Sequence, residues 1–127
     1  MTYTHPKLVL IRGLPGSGKS TSARNIAVDL GYVHVEADMY FENSKFDGSK
    51  LPAAHNWCYN KAVEALSEGH NVVVSNTFTT YKELKRYMAI ENVGLIILEC
   101  TENYDSIHNV PEATIERMRE RWYRLEK

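Results

Sequence analysis

The sequence predicts an α/β fold in three layers: a mainly parallel sheet of four to five strands with helices on both faces. Three observations carry that expectation. Short apolar runs alternate with segments whose apolar residues recur at helical spacing. Between the first such run and the first helical segment lies Gly13-Leu14-Pro15-Gly16-Ser17-Gly18-Lys19-Ser20-Thr21, which matches the phosphate-binding pattern G-x-x-x-x-G-K-[ST]. Gly31, Gly69 and Gly94 each stand between a predicted helix and the strand after it, where a helix C-terminus favours glycine.

In chain order, Lys7–Ile11 is a continuous apolar run of the kind that forms a buried strand. The glycine loop follows and opens into a helix over Lys19–Leu30, with Ala23, Ile26, Ala27 and Leu30 on one face. Val33–Glu36 reads as the second strand, and Phe41 to Leu51 as a loop. Pro52–Glu68 is the second helix, with proline at its start as helices prefer. Asn71–Ser75 is the third strand, Thr80–Ile90 the third helix and Leu95–Glu99 the fourth strand. After a loop from Thr101 to Val110, a last helix spans Pro111–Leu125, with Ile115, Met118, Trp122 and Leu125 as its buried stripe.

At 127 residues and 43% hydrophobic content, the chain (1–127) suits one domain with one core. No stretch approaches the roughly 18 apolar residues of a membrane span, and Met1 to Pro6 lacks a leader's apolar run. Cys58 and Cys100 lie far apart without metal-type spacing, so they read as reduced, half-buried packing residues of a cytoplasmic protein, with a disulfide as the alternative. The formal net charge of -1 argues against a broad electrostatic footprint on nucleic acid. A nucleotide-sized contact stays open, so an acceptor would be small or gripped near its reacting end. A monomer or small homo-oligomer away from membranes is expected.

Ligands of open α/β sheets bind outside the carboxyl ends of the strands. In the glycine loop, Gly13, Pro15, Gly16, Ser17 and Gly18 let backbone N–H groups curl around a polyphosphate, and the helix N-terminus adds partial positive charge. Lys19 would reach the β- and γ-phosphates; Ser20, followed by Thr21, would offer a hydroxyl to Mg²⁺. The expected ligand is a nucleoside triphosphate. Asp38, after the second strand, is the candidate base: it could accept a hydroxyl proton or hold Mg²⁺ through water, or merely cap the turn into Met39-Tyr40-Phe41. The third strand ends in Ser75 rather than the acidic residue that supports the metal shell in many P-loop enzymes. Asn76 and Thr77 beyond it are either ligand contacts or caps of the next helix.

The loop over 101–110 carries no Arg or Lys, so phosphoryl charge would fall to an arginine of the last helix, Arg117 or Arg121, with Arg119 nearby. The same arginines fit an ion-paired solvated face. His55 and His108 have no metal-ligand partner at useful spacing; each is a packing residue or a ligand contact. Lys45 and Lys50 are either solvated loop residues or contacts to an acceptor phosphate.

The order of P-loop, Glu36-Ala37-Asp38-Met39-Tyr40-Phe41, Ala54-His55-Asn56-Trp57, Val74-Ser75-Asn76-Thr77 and Ile107-His108-Asn109-Val110-Pro111 resembles one family. It is similar to the kinase domain of phage polynucleotide kinase and to NEDD4-binding-protein-2-like proteins, over nearly the whole chain. The resemblance implies a P-loop kinase-like fold and ATP- and Mg²⁺-dependent phosphorylation of a hydroxyl, often a polynucleotide 5′-OH. It puts Asp38 on the general base, and Ser17, Lys19, Ser20 and Thr21 on phosphate and metal positions. The acceptor site then gathers Asp38, Tyr40, Phe41, His55, Asn76 and Thr77. Phage origin would make the setting a host cytoplasm.

Three departures stand out. The arginine that holds the acceptor phosphate three residues past the base is here Phe41. The strand end Val-Asp-Asn-Thr-Asn carries Ser75 and Phe78 instead, and the lid has Asp105 and Ser106 where arginine is usual. The alternative reading is an ATP-binding module with weak ATPase or no phosphotransfer, acting through a partner.

Overall fold

Four parallel strands are ordered β2-β3-β1-β4 in the computed structural model, which describes residues 5–42, 45–100 and 112–124. They are β1 (Lys7–Arg12), β2 (Val33–Val35), β3 (Val72–Asn76) and β4 (Gly94–Glu99). The helices are α1 (Lys19–Leu30), α2 (Leu51–Ser67), α3 (Tyr81–Met88) and α4 (Glu112–Arg121). Two short 3₁₀ segments, Ala37–Phe41 and Gly48–Lys50, lie between β2 and α2.

The two central strands are apolar on both sides because both faces are covered. Leu8, Leu10, Val72 and Val74 point to one face, where Ala54, Cys58 and Ala62 of α2 and Leu84 and Tyr87 of α3 pack on them. Val9, Ile11 and Val73 point to the other, against Ala23, Ile26 and Ala27 of α1. This alternation is the two-residue period of a strand read from both sides. The parallel register pairs Leu10 with Val74 and Val35 with Val74's other edge, so the ends of β1, β2 and β3 come out together on one rim of the sheet.

Some expected element ends hold and others change. Gly31, at φ +71, does close α1, and its N–H donates to the Ala27 carbonyl at 3.0 Å. Gly94 closes no helix: it opens β4, its N–H donates to the Pro6 carbonyl at 2.9 Å, and Asn92 takes the left-handed position at φ +62. The second strand stops at Val35 rather than Glu36, because Glu36 accepts the Met39 N–H at 3.1 Å and starts the 3₁₀ turn. The last helix ends at Arg121, short of Leu125. Met118 and Trp122 of its stripe are half-buried. The side chain of Ile115, and Leu125 entirely, lie outside the described residues, as does the 101–110 loop with His108, Asp105 and Ser106.

Candidate functional site

β1 runs straight into the glycine loop, and the loop into α1. Gly16 at φ +83 and Gly18 at φ +88 hold the left-handed backbone that turns the loop's N–H groups inward. Gly13 is glycine for space: a Cβ there would overlap the Ser17 hydroxyl and stand 3.0 Å from the Cys100 carbonyl oxygen. Ser17 is 3% exposed, and its hydroxyl has no hydrogen-bond partner among the described residues. A buried hydroxyl without an acceptor is costly unless something supplies one. A phosphate oxygen in the loop would do so, and the residues present therefore fit a nucleoside triphosphate.

Lys19 and Ser20 sit in the first turn of α1. Burial pulls the Lys19 ammonium below the usual lysine value, while the Glu36 carboxylate and then that of Asp38 pull the other way. Asp38 is exposed on the 3₁₀ turn, beside exposed Tyr40 and buried Phe41. The loop cation and the candidate base thus feel one another's charge. Ser20 Oγ donates to Glu36 Oε2 at 2.8 Å. The Ser75 hydroxyl donates to the same oxygen, and His34 Nε2 lies 3.1 Å from it. Burial opposes ionisation of Glu36, yet the hydrogen bonds from His34, Ser75 and Ser20 outweigh it and hold the carboxyl at about 2.

Asn76 ends β3 instead of lying beyond it, and its side chain is occupied. Its Oδ1 accepts the Ala37 N–H at 2.9 Å, and its Nδ2 donates to the Cys58 thiol at 3.6 Å. It therefore fixes the start of the turn that carries Asp38. Thr77 is half-buried just after the strand, and His55 is half-buried in the second turn of α2. Arg117 and Arg121 are exposed on α4, where Glu116 and Arg119 form an ion pair. Lys45 and Lys50 are exposed. Among the described residues, no group of three or more His, Cys, Asp or Glu side chains could hold a metal. No helix of the described residues is long and apolar enough to cross a membrane.

Three residues escaped the sequence reading: Glu36, His34 and Arg12. Glu36 and His34 were assigned to a strand and so kept out of the rim; the sign of their role was an acidic residue two positions before Asp38. Arg12 was hidden by its place between an apolar strand and the glycine loop. It is fully buried. Its Nε and Nη2 donate to the Phe78 carbonyl at 3.1 and 2.8 Å, Nη1 reaches Glu99 Oε2 at 3.2 Å, and the guanidinium lies 3.9 Å from the Trp122 ring centre.

Both cysteines are free, Cys58 buried and Cys100 half-buried. Burial pushes the Cys58 thiol up, so it is neither exposed nor ionised. Iodoacetamide at neutral pH should label Cys100 at least tenfold faster than Cys58 in the folded protein, with both labelled in urea. Mass spectrometry of the modified peptides checks this; equal native rates would contradict the buried placement.

Residues 8–101 match the family model described as AAA domain. The chain belongs to the AAA domain family. This AAA-domain chain is 37% identical to human NEDD4-binding protein 2 over 94 residues, which cover 70% of the chain and 5% of that protein. It is 32% identical over 96 residues to the bifunctional polynucleotide phosphatase/kinase of Schizosaccharomyces pombe, covering 76% of the chain and 21% of that protein. The chain thus corresponds to a small part of these relatives. A chain in the structure of the Pnkp1/Rnl/Hen1 RNA repair complex superposes with a TM-score of 0.71 at 22% identity, over 94% of this chain and 45% of that one. A sugar kinase from Janibacter superposes with a TM-score of 0.70 at 15% identity, over 95% and 80%. At these identities the likeness is one of fold, the P-loop kinase-like α/β fold.

Proposed function

We propose that this AAA-domain chain is an ATP-dependent kinase that transfers the γ-phosphoryl group to a hydroxyl on a nucleic acid or nucleotide. The observation that carries the reading is the phosphate loop itself, with Lys19 in the first turn of α1, a buried and unpartnered Ser17 hydroxyl, and Ser20 bonded to Glu36 two residues before Asp38. It supports a donor site with a candidate proton acceptor on the adjoining turn. Similarity to a polynucleotide phosphatase/kinase supports the acceptor class.

In this reading Asp38 accepts the proton of the attacking hydroxyl as its oxygen bonds to the γ-phosphorus. The bond from that phosphorus to the oxygen bridging to the β-phosphate breaks, and ADP leaves with that electron pair. Lys19 and the loop N–H groups offset charge on the transferring oxygens. Mg²⁺, when bound, would neutralise β- and γ-phosphate charge, and Ser20 would be the hydroxyl that holds it. Asn76 keeps the turn in place through Ala37.

The test is label transfer from γ-labelled ATP to 5′-OH oligonucleotides, nucleosides and water. Transfer to an oligonucleotide or nucleoside is expected, with Asp38→Asn lowering the rate by about 10²–10⁴-fold at unchanged ATP affinity. ATP binding without transfer to any of these acceptors would overturn the kinase reading. It would favour a nucleotide-binding module that acts through a partner, a reading to which the exposed apolar side chains of β4, Leu95, Ile96 and Leu98, lend support.

A further inference from the structure

The parallel register that pairs Val35 with Val74 sets the next two residues, Glu36 and Ser75, side by side at the rim. Their side chains are joined, Ser75 Oγ donating to Glu36 Oε2. The same carboxylate oxygen accepts a hydrogen bond from Ser20 Oγ at 2.8 Å. A serine hydroxyl has one proton and two lone pairs. With the proton committed to Glu36, the lone pairs of Ser20 are what remains for a cation. His34 Nε2 stands 3.1 Å from both Glu36 Oε2 and Ser75 Oγ, a third partner of the same carboxylate oxygen. The unpartnered, buried Ser17 hydroxyl in the adjoining loop independently points to an anionic ligand there.

We infer that Glu36 supplies the carboxylate that orients Ser20 and the hydrated divalent cation beside the nucleotide phosphates, a role moved one strand across from β3, where Ser75 stands beside it. The inference rests on the nucleotide-binding reading of the loop. Glu36 acts through Ser20 and the cation's water rather than by direct ligation. A hydrated cation such as Mg²⁺ is suited to that arrangement, because it gives up its waters reluctantly. Ser75 and His34 are positioning residues that hold the carboxylate. The short hydroxyl of Ser75 on β3 is what leaves room for a carboxylate arriving from β2.

The experiment measures binding of a fluorescent ATP analogue as a function of Mg²⁺ concentration, with Mn²⁺ binding followed by electron paramagnetic resonance. Glu36→Gln keeps the shape and removes the charge. It should raise the Mg²⁺ concentration for half-maximal nucleotide binding by about 10–100-fold, as loss of an outer-shell partner does, with metal-free nucleotide affinity within about twofold of wild type. Glu36→Ser combined with Ser75→Asp returns the carboxylate to β3 and should restore at least half of the lost Mg²⁺ dependence. Circular dichroism establishes that each variant is folded. A folded Glu36→Gln protein with wild-type Mg²⁺ dependence would overturn the inference while leaving the nucleotide reading intact. A swapped pair no better than Glu36→Gln would overturn the relocation. Failure of the wild-type protein to bind the analogue at any Mg²⁺ concentration would overturn both.

Discussion

Arg12→Met should remove about 3–4 kcal/mol of stability, a large share of what a domain of this size possesses. Arg12 lies at the point where β1, the segment after β3, β4 and the residues after α4 converge. Desolvation lowers its pKa, with Glu99 pulling the other way, yet a guanidinium keeps its charge in a protein. Methionine fills similar volume but leaves the Phe78 carbonyl buried without its donors, which costs about 1–3 kcal/mol. It also removes the cation over Trp122, about 0.5–2 kcal/mol. The bond to Glu99 contributes less, because that carboxylate is 39% exposed and can rehydrate. Phe78 itself sits at φ +46, a costly conformation for an aromatic residue, so the clamp holds a strained backbone in place. Urea denaturation measures the loss. Trp122→Phe, which keeps both hydrogen bonds to the Phe78 carbonyl, should lose less than half as much; equal losses would mean that stacking rather than the carbonyl clamp dominates.

Lys19→Ala is expected to act in the opposite sense on stability and on ligand binding. The lysine's net downward pKa shift means that the fold, without ligand, disfavours its charged form. Removing it should leave the melting temperature of the ligand-free protein unchanged or higher. With ATP the order reverses. Wild-type protein at 100 times its dissociation constant gains about 2.7 kcal/mol from binding, and the variant should gain almost none. Phosphoryl transfer should fall by about 10²–10³-fold, the scale for losing one preorganised charge at a developing oxyanion. Glu36 and Asp38 account for part of that loss, since both then face the phosphates with no cation between them. Differential scanning fluorimetry with and without ATP and Mg²⁺ reads both signs. A variant that melts lower without ligand and still responds fully to ATP would sink this account of Lys19.

Much of the frame was legible because it rests on local periodicity and on a motif bound to its backbone. The apolar runs at Lys7–Ile11 and around Val72–Val74 required two covered faces, and the helix at Lys19–Leu30 agrees residue for residue with the observed α1. Glycine at 16 and 18 announced a left-handed loop that other residues adopt only at a cost. The cap of α3 was not read: it is Thr80 rather than Asn76 or Thr77, with Glu83 accepting from both the N–H and the hydroxyl of Thr80 at 3.0 Å.

What the sequence determined by itself, then, was the strand–loop–helix unit, the alternation that builds the sheet, and the placement of Asp38 after the second strand. What only the tertiary structure decided was which side chains meet across the rim. Glu36 and Ser75 are 39 positions apart and Arg12 and Phe78 are 66 apart, and their contact depends on strand order β2-β3-β1-β4. Hydrophobic period and glycine conformation are properties of neighbours in the chain. Hydrogen bonds at the ends of strands depend on register, and register is fixed by packing of the whole sheet.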